Sequence, residues 1–277
     1  MNLHFTLHDR RRNMATGVYE ASKKDGTRYF RANIHYRSKH ISLGSYDTFQ
    51  AANTVYLQAK QLLSDTHASL PDAFLQYAAI PFDKLVVLLN YRDHGMYLGS
   101  PIYLASANYF VYYLTPDLEL KFDNDDLFYY SSHRILRRGN HLYTNDYGMQ
   151  VSLLSRYGIK NYAVAGVDYV FVNGDSTDFR YANIRNINPY YGVSRQDENG
   201  RISYLTRIHI NGNYQIGIYA SEIEAAIAYN KAVDIAKSAG IDRNYPTNYI
   251  SGLSASEYAD IYTRIKVSRA FREYLKH

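Results

Sequence analysis

Two related stretches of sequence decide the fold of this chain. Residues 192–232 have the sequence GVSRQDENGRISYLTRIHINGNYQIGIYASEIEAAIAYNKA, and residues 17–59 have the sequence GVYEASKKDGTRYFRANIHYRSKHISLGSYDTFQAANTVYLQA. Both begin with Gly-Val. In both, an alanine follows a shared glycine, Gly44 or Gly217, after eight positions, and a tyrosine follows it after twelve. The common spacing indicates that one structural unit occurs twice.

Each stretch predicts three strands followed by one helix. Turns are predicted at Gly26 and Ser38-Lys39 in the first stretch, and at Gly200 and Asn211-Gly212 in the second. The helices are rich in alanine, whose small side chain lets a helix lie close to a sheet. We refer to these two predicted units as the first and second modules.

The alternation of side chains predicts which face of each middle strand meets the helix, because successive residues face opposite sides. The residues predicted to face the helix are Phe30, Ala32, Ile34, Tyr36, Tyr204, Thr206, Ile208 and Ile210. Those predicted on the opposite, free face are Arg31, Asn33, His35, Arg37, Leu205, Arg207, His209 and Asn211. The free faces are therefore expected to be largely polar and basic.

Capping boxes predict where two of the later helices begin. Ser221 and Glu224 have this spacing at the start of the second module's helix, and Ser254 and Glu257 have it before a helix that we expect to reach about Leu275. This last helix carries the cations Arg264, Lys266, Arg269, Arg272 and Lys276. They favour phosphate contact or partner docking, or a solvated helix end whose cations complement the macrodipole.

The composition bounds the class of protein. Hydrophobic residues make up 46% of the 277 residues and charged residues 21%, so the chain can bury a core. It has no cysteine, which excludes disulfides and thiolate metal sites. The start MNLHFTLHDRRR lacks the apolar stretch of a secretory signal, and the apolar run Leu85 to Leu89 is too short to span a bilayer. We expect a soluble cytoplasmic protein without a membrane partner.

Charge is distributed unevenly along the chain. Residues 1–45 carry nine Lys/Arg and three acids, a net of +6. Residues 66–130 carry three bases and eight acids, a net of −5, and residues 131–160 carry five bases and one acid, a net of +4. Basic segments beside an acidic one favour a surface that binds a polyanion, with an unevenly charged solvated surface as the alternative.

Both modules resemble the Apetala-two/ethylene-response-factor DNA-binding domain. That family has a Gly-Val start, an aromatic-basic-Ala-x-Ile strand, Leu-Gly-x-Phe, and a helix with Ala-Ala-x-x-Tyr. The second module is the closer match, over about residues 190–246, and ends in Asn244-Tyr245-Pro246. The resemblance implies a sheet that contacts double-stranded DNA in the major groove.

Carried over by position, the family's DNA face implies a set of candidate contact residues. These are Arg31, Asn33, His35, Arg37, Arg207 and His209, with Arg28, Arg195 and Arg201 close to the face. The chain departs from the family at Phe30 and Tyr204, which replace its tryptophan, and at Leu205, which replaces a basic residue. The preferred bases are therefore expected to differ.

The segment between the modules is predicted to fold separately. Leu70-Pro71-Asp72 has the composition of a linker, and Asp83 to Asn90 is an apolar run compatible with a helix or a buried strand. From Ile102 to Ile135 the chain is rich in Tyr, Phe and Leu, which predicts strands, with turns at Thr115-Pro116-Asp117 and from Phe122 to Asp126.

Residues 126–185 resemble the core of an HNH homing endonuclease, a family that often carries an Apetala-two-type domain directly after the nuclease. The motif residues that the chain keeps are Val167, Asp168, Asn173, Gly174, Asp175, Asp178, Arg180, Asn183 and Arg185. Tyr169 stands where the family has its catalytic histidine, and Phe179 where it has the asparagine that orients this histidine. Ser155 stands where a further histidine is frequent, and two extra residues precede Asn173.

These replacements predict a nuclease core that no longer cuts DNA. A tyrosine, with a reference pKa near ~10, is a poor general base at neutral pH. Asp168 and Asn183 either form a vestigial Mg²⁺ site or only brace a loop, and no cofactor is required for function. His133 and His141 are expected on strands, where a lone histidine more often packs or faces solvent than catalyses.

We therefore predict an α+β protein in which two modules of a three-stranded sheet and a helix flank a degenerate HNH core of the ββα-metal type. The expected boundaries are 1–65, 66–188, 189–250 and 251–277, the last being a basic helix. Sequence-selective DNA binding without cleavage is the expected function, in a bacterial or virus-infected cell.

Two alternatives differ in class. One is a virus-encoded anti-defence inhibitor that uses the same scaffold to bind a protein. The other is an active metal-dependent nickase with relocated catalytic residues, of which His133 and His141 are the first candidates.

Overall fold

The structure, a computed structural model, describes residues 17–161, 163–241 and 243–276. The stretch MNLHFTLHDRRR, on which the expectation about a secretory signal and part of the basic charge depend, lies outside the described residues. The described chain is an α+β protein with four three-stranded sheets and one two-stranded sheet.

The chain forms two compact units. One contains the chain up to Gln150 together with Thr177–Arg180, and the other contains Val151–Ser176 and the chain from Tyr181 onward. The first module belongs to the first unit and the second module to the second unit.

Between residues 17 and 152, the structure describes thirteen strands and helices in chain order. They are β1 (Val18–Ser22), β2 (Arg28–Tyr36), β3 (Lys39–Tyr46), α1 (Phe49–Ser64), α2 (Leu70–Gln76), α3 (Phe82–His94), β4 (Ile102–Tyr103), β5 (Tyr109–Thr115), β6 (Leu118–Asp123), α4 (Leu127–Ser132), β7 (Ile135–Arg138), β8 (His141–Asp146) and β9 (Met149–Ser152).

The described remainder of the chain holds a two-stranded sheet, the second module and two C-terminal helices. They are β10 (Tyr169–Phe171), β11 (Ile184–Asn186), β12 (Val193–Glu198), β13 (Arg201–His209), β14 (Asn213–Tyr219), α5 (Glu222–Ser238), α6 (Ala255–Arg264) and α7 (Arg269–Tyr274). Short 3-10 turns occur at Asn124–Asp126, Leu153–Tyr157 and Tyr181–Asn183.

The two predicted modules are confirmed. Strands β1–β3 and β12–β14 each form an antiparallel sheet with the middle strand central, and α1 or α5 follows. The pairing register shifts between Ala32 and Asn33 in the first sheet and between Thr206 and Arg207 in the second. Because these positions correspond, the two sheets share their irregularity as well as their strands.

A glycine at the start of each module lies under the tyrosine of its helix. Gly17 has φ +104°, and a Cβ on it would come within 3.0 Å of the Tyr56 ring and the Asn33 carbonyl. Gly192 has φ +69°, and a Cβ there would meet the Tyr229 ring and the Arg207 carbonyl equally closely. The glycine carbonyls accept hydrogen bonds from Asn33 N at 2.8 Å and from Arg207 N at 2.7 Å. Only glycine fits this position.

Each module belongs to a larger hydrophobic core. The first core extends from Val18 to Tyr91 and so includes α2 and α3. Arg92, which is buried, donates to the carbonyls of Leu62, Asp65 and Ala68 and thereby satisfies the C-terminal end of α1. The second core extends from Val193 to Phe271 and includes residues of α5, the strand β14 and α7.

Two expectations about the first unit are corrected, and one open alternative is resolved. Leu70-Pro71-Asp72 is not a linker but the first turn of α2, with Ser69 as the N-cap and the proline at a position that tolerates it. The run from Asp83 to Asn90 is helical and lies in α3. The strands expected up to Ile135 are interrupted by α4, which buries Leu127 and Tyr130.

Two further expectations fail, one at a turn and one at a helix cap. The turn between β2 and β3 is formed by Arg37 and Ser38, with φ +43° and +64°, and Lys39 already belongs to β3. Ser221 is the N-cap of α5 but makes no side-chain capping bond. Its expected partner Glu224 pairs instead with Arg264, at 3.2 Å.

The capping box of Ser254 and Glu257 is confirmed, but the helix that it opens ends at Arg264. The chain is then extended and buries Ile265 and Val267 before α7 begins. Lys231 Nζ donates to the carbonyls of Tyr262, Thr263 and Ile265 and so closes the end of α6. The extended conformation buries two β-branched residues that a continuous helix would place on different faces.

We predict that Gly192→Ala lowers the free energy of unfolding by roughly 2–5 kcal/mol, combining about 1–2 for left-handed backbone with about 1–3 for overpacking. Gly200→Ala is the matched control, since Gly200 also has positive φ, at +83°, but has open space around it. The control is expected to cost only the backbone part. Urea unfolding followed by circular dichroism checks this, and equal losses in the two variants would show that the tyrosine contact is unimportant.

Candidate nucleic-acid interface

The outer face of the first sheet, which is the face opposite α1, is open. Cross-strand partners share a face, so the register defines its members. They are Tyr19, Ala21, Tyr29, Arg31, Asn33, His35, His40, Ser42 and Ser45. All nine lie in the described part of the chain, none is fully buried and none is acidic. The face is therefore polar and positively charged.

Contacts with neighbouring rings restrict the arginine and histidine side chains on this face. Arg31 Nη2 donates to the Tyr29 hydroxyl at 2.7 Å, and its guanidinium lies 5.4 Å from the centroid of the Tyr29 ring. His35 and His40 are directly opposite each other on β2 and β3, with ring centroids 5.1 Å apart. These contacts restrict the side chains while their remaining hydrogen-bond donors face solvent.

Two of the predicted contact residues lie elsewhere. Arg37 was expected on the free face, but it belongs to the β2–β3 turn, where its Nη1 donates to the Tyr91 carbonyl at 3.0 Å. It ties the hairpin to α3. Arg28 alternates with Arg31 to the opposite side of β2 and pairs with Glu20 at 3.3 Å. Neither side chain belongs to the outer face.

The outer face of the second sheet, opposite α5, is exposed toward both ends of β13 but buried at Leu205 between them, and one exposed end lies next to the β13–β14 turn. Arg207 and His209 are exposed there, and His209 Nδ1 lies 3.0 Å from Asn213 Oδ1. Leu205, which was expected to be exposed, is buried, with only 4% of its surface accessible. Arg201 is exposed at the opposite end of the strand. The two modules therefore present different surfaces.

Arg195 does not belong to this outer face. It is opposite Tyr204, which packs toward the helix side, and its guanidinium lies 3.6 Å from the Asp197 carboxylate. Its backbone amide donates to Asn188 Oδ1 at 2.8 Å. Arg195 thus connects β12 to the segment before it.

The sequence analysis missed the neighbours that the register adds to the first outer face, chiefly Tyr19, Tyr29 and His40. Tyr19 is 56% exposed and is opposite Arg31. A signal was present, because pairing β1 and β3 with β2 around the predicted turns places the same-face residues together. The register shift after Ala32 was not visible in the sequence.

The nuclease-like motif residues Asp168 and Asn183 brace the β10–β11 hairpin. The Asp168 carboxylate accepts from Val164 N at 2.8 Å and from Asn188 Nδ2 at 3.1 Å. Asn183, which is buried, accepts from Asn173 N at 2.8 Å. Each side chain therefore has a structural use. In residues 17–161, 163–241 and 243–276, no three His, Asp or Glu side chains form a group suited to hold a metal ion.

The two positions at which the family resemblance predicts lost catalytic residues, Tyr169 and Phe179, are both buried. Tyr169 is buried on β10, and burial raises the pKa of its phenol above the ordinary value, which leaves even less of it as the phenolate that could accept a proton near pH 7. Phe179 is buried and stacks on Phe122 with ring centroids 5.5 Å apart. Phe179 therefore packs in the core of the first unit.

His133 and His141 have separate surroundings. His133 is the C-cap of α4 rather than a strand residue, stacks on Tyr129 and lies 3.7 Å from the Asp146 carboxylate. His141 begins β8 and stacks on Tyr143.

Comparisons with protein-family models, curated proteins and solved structures find no match for the chain. The two family resemblances therefore stay predictions from their motifs. In the part of the chain that the structure describes, no helix has the length and apolar character that crossing a membrane requires.

We predict that Asp168→Asn lowers the free energy of unfolding by about 1–3 kcal/mol, because a bracing carboxylate loses its charge and one acceptor. Asp197→Asn, at an exposed ion pair, is the control and is expected to change it by less than about 0.5 kcal/mol. The melting temperature of the wild type should not respond to millimolar Mg²⁺. A Mg²⁺-dependent rise that Asp168→Asn abolishes would instead identify a metal site.

Proposed function

We propose that the chain binds double-stranded DNA and selects its sequence through the outer faces of its two modules. The observation that carries the proposal is the first outer face, where Arg31, Asn33 and two histidines stand on an open sheet without an acidic residue. A small sheet can enter the major groove, and these side chains match the acceptors of base edges and phosphates.

The proposal includes an asymmetric target. The first outer face presents Arg31, Asn33 and His35, and the second presents Arg207 and His209 beside a buried leucine. Arginine favours guanine, and asparagine favours adenine, through paired hydrogen bonds. Two modules with the same inner packing and different outer side chains should therefore prefer different half-sites.

We further propose that residues 126–185 descend from an HNH nuclease and no longer cut DNA. Support comes from the motif residues that persist as braces, Asp168 and Asn183, beside the replacements Tyr169 and Phe179. Loss of the general base removes about 10²–10⁴-fold of rate in such chemistry. We expect the protein to meet DNA in the cytoplasm of a bacterial or virus-infected cell.

One observation favours a second candidate function, binding of a protein by the second module. Ile218, which is opposite Leu205 on the outer face, is 56% exposed, so this face is more apolar than the first. The exposed apolar surface at Ile218 is suited to contact a protein rather than DNA. Stable binding to a protein partner without affinity for any duplex would favour this candidate.

We predict that Arg31→Ala and Arg207→Ala each lose about 1–3 kcal/mol of binding free energy on a duplex selected from a random pool, at different base pairs. Each removes a candidate contact to a base edge. Binding titrations with single-base-pair variants of the selected site measure the loss for each position.

Arg28→Ala is the matched control for these titrations, because Arg28 is exposed on the same strand as Arg31 but points to the other side and pairs with Glu20. It should preserve the base preferences. If Arg31→Ala and Arg207→Ala relax the same base pairs, or relax none, the assignment of the outer faces is wrong.

We predict that the wild-type protein makes no specific nicks in its selected site with Mg²⁺ or Mn²⁺, and that Tyr169→His alone stays inactive. Restoring the asparagine by Phe179→Asn would also break a buried stack, at a cost of roughly 3–5 kcal/mol. Gel analysis of end-labelled duplex, with a chelator control, provides the measurement. Chelator-sensitive specific nicks by the wild type would show that another residue serves as the base, and would direct attention to His133 and His141.

A further inference from the structure

The basic segment 131–160 lies outside both modules and has a net charge of five bases minus one acid, +4. None of these charged residues belongs to either outer face. In the structure, some of these cations already have a hydrogen-bond or ion-pair partner, whereas others have no carboxylate partner.

Most of the segment's charge is engaged within the protein. Arg134 pairs with Asp83 at 2.5 Å, and Lys160 Nζ donates to the Tyr190 carbonyl at 2.7 Å. Arg156 also has a partner. The two remaining cations are Arg137 and Arg138, and both are exposed.

Arg137 and Arg138 stand at the tip of the hairpin formed by β7 and β8, which we name the basic hairpin (residues 135–146). Neither has a carboxylate within 4.0 Å among the residues that the structure describes. Arg137 Nε donates to the Gly139 carbonyl at 2.7 Å, which orients the guanidinium and leaves its terminal nitrogens available. Gly139 has φ +61° and open space around it, so the turn itself presents no bulk.

Each face of the hairpin tip carries one arginine. Arg138 is directly opposite His141, whose ring stacks on Tyr143 with centroids 5.7 Å apart. Arg137 is opposite Leu142, on the other face. Because successive residues alternate, the two guanidiniums leave the hairpin on opposite sides.

The base of the basic hairpin is anchored in the first unit. Ile135 and Thr144, a cross-strand pair, are buried. Ile135 N donates to the Tyr112 hydroxyl at 3.1 Å, and the Thr144 hydroxyl lies 3.1 Å from that of Tyr129. Because the base of the hairpin is buried, binding at its charged tip restricts little further backbone freedom.

We propose that the tip of the basic hairpin contacts the sugar-phosphate backbone of the duplex outside the base pairs that the modules select. The inference rests on the proposed DNA binding and adds a third, sequence-independent contact to it. Arginine's planar fork of donors matches phosphate oxygens, and uncompensated cations attract the most highly charged polymer that the protein is proposed to meet.

The basic hairpin and the first module belong to the same compact unit. A unit of this size is on the order of 35 Å across. That is about one helical turn of duplex DNA, ~34 Å, so the hairpin tip and the first outer face are separated by no more than about one turn.

The test compares the double variant Arg137→Ala/Arg138→Ala with wild type on the selected duplex and on an unrelated duplex, over a series of salt concentrations. We expect about tenfold weaker binding on both duplexes, the equivalent of one charge-assisted hydrogen bond. The slope of log K against log salt should fall by about 0.9 for each phosphate that the variant no longer neutralises.

Arg28→Ala/Arg134→Ala is the matched control, because it removes two charges from the same compact unit at positions where Glu20 and Asp83 already pair with them. It should leave affinity and slope nearly unchanged. Arg137→Lys/Arg138→Lys should keep the slope, since the charges remain. Thermal melting checks that every variant is folded.

The outcomes separate the inference from the proposed function. If wild type binds DNA and the hairpin variant matches the control variant, the hairpin contact is wrong and the modules' role stands. A loss of affinity confined to the selected duplex with an unchanged slope would also overturn it, because the hairpin would then contact bases. Wild type without affinity for any duplex would overturn both.

Discussion

The packing of a helix tyrosine over a backbone glycine is the contact on which both modules depend. At Gly17 and at Gly192 the chain passes under the ring of Tyr56 or Tyr229, and the glycine carbonyl accepts a hydrogen bond from the strand residue that follows the register shift. This contact fixes the helix against one face of the sheet. The opposite face is left for Arg31, Asn33 and His35, or for Arg207 and His209. A side chain at either glycine would push the helix away and disturb the strand that carries those residues.

Local patterns predicted the modules well, because turn glycines, strand alternation and an alanine-rich helix all act over short distances. The same patterns failed where contacts with residues distant in sequence determine the burial or partner of a side chain. Leu205 alternates like an exposed residue but is buried, Arg37 is recruited by the Tyr91 carbonyl, and Glu224 pairs with Arg264 rather than capping its own helix. The candidate contact residues were therefore predicted by type, whereas their faces depended on register and on partners far along the chain.

The distribution of ion pairs indicates which parts of the described surface carry uncompensated positive charge. Among the described residues, Arg31 on the acid-free outer face of the first sheet and Arg137 and Arg138 on the basic hairpin have no ion pair, whereas Arg28, Arg195 and Arg264 each have one. The residues that resemble a nuclease motif hold loops together, with Asp168 and Asn183 as the clearest cases. These braces and the exposed arginines are the observations from which we propose DNA binding without cleavage.

The most direct test of this account is the affinity of the wild-type protein for duplex DNA as a function of salt concentration. If the outer faces and the hairpin contact phosphates, log K falls linearly with log salt, with a slope of roughly 0.9 per phosphate contacted. The account predicts a slope of several units on a duplex selected from a random pool, and weaker binding with a similar slope on an unrelated duplex. Affinity independent of salt, or no affinity for any selected duplex, would contradict it.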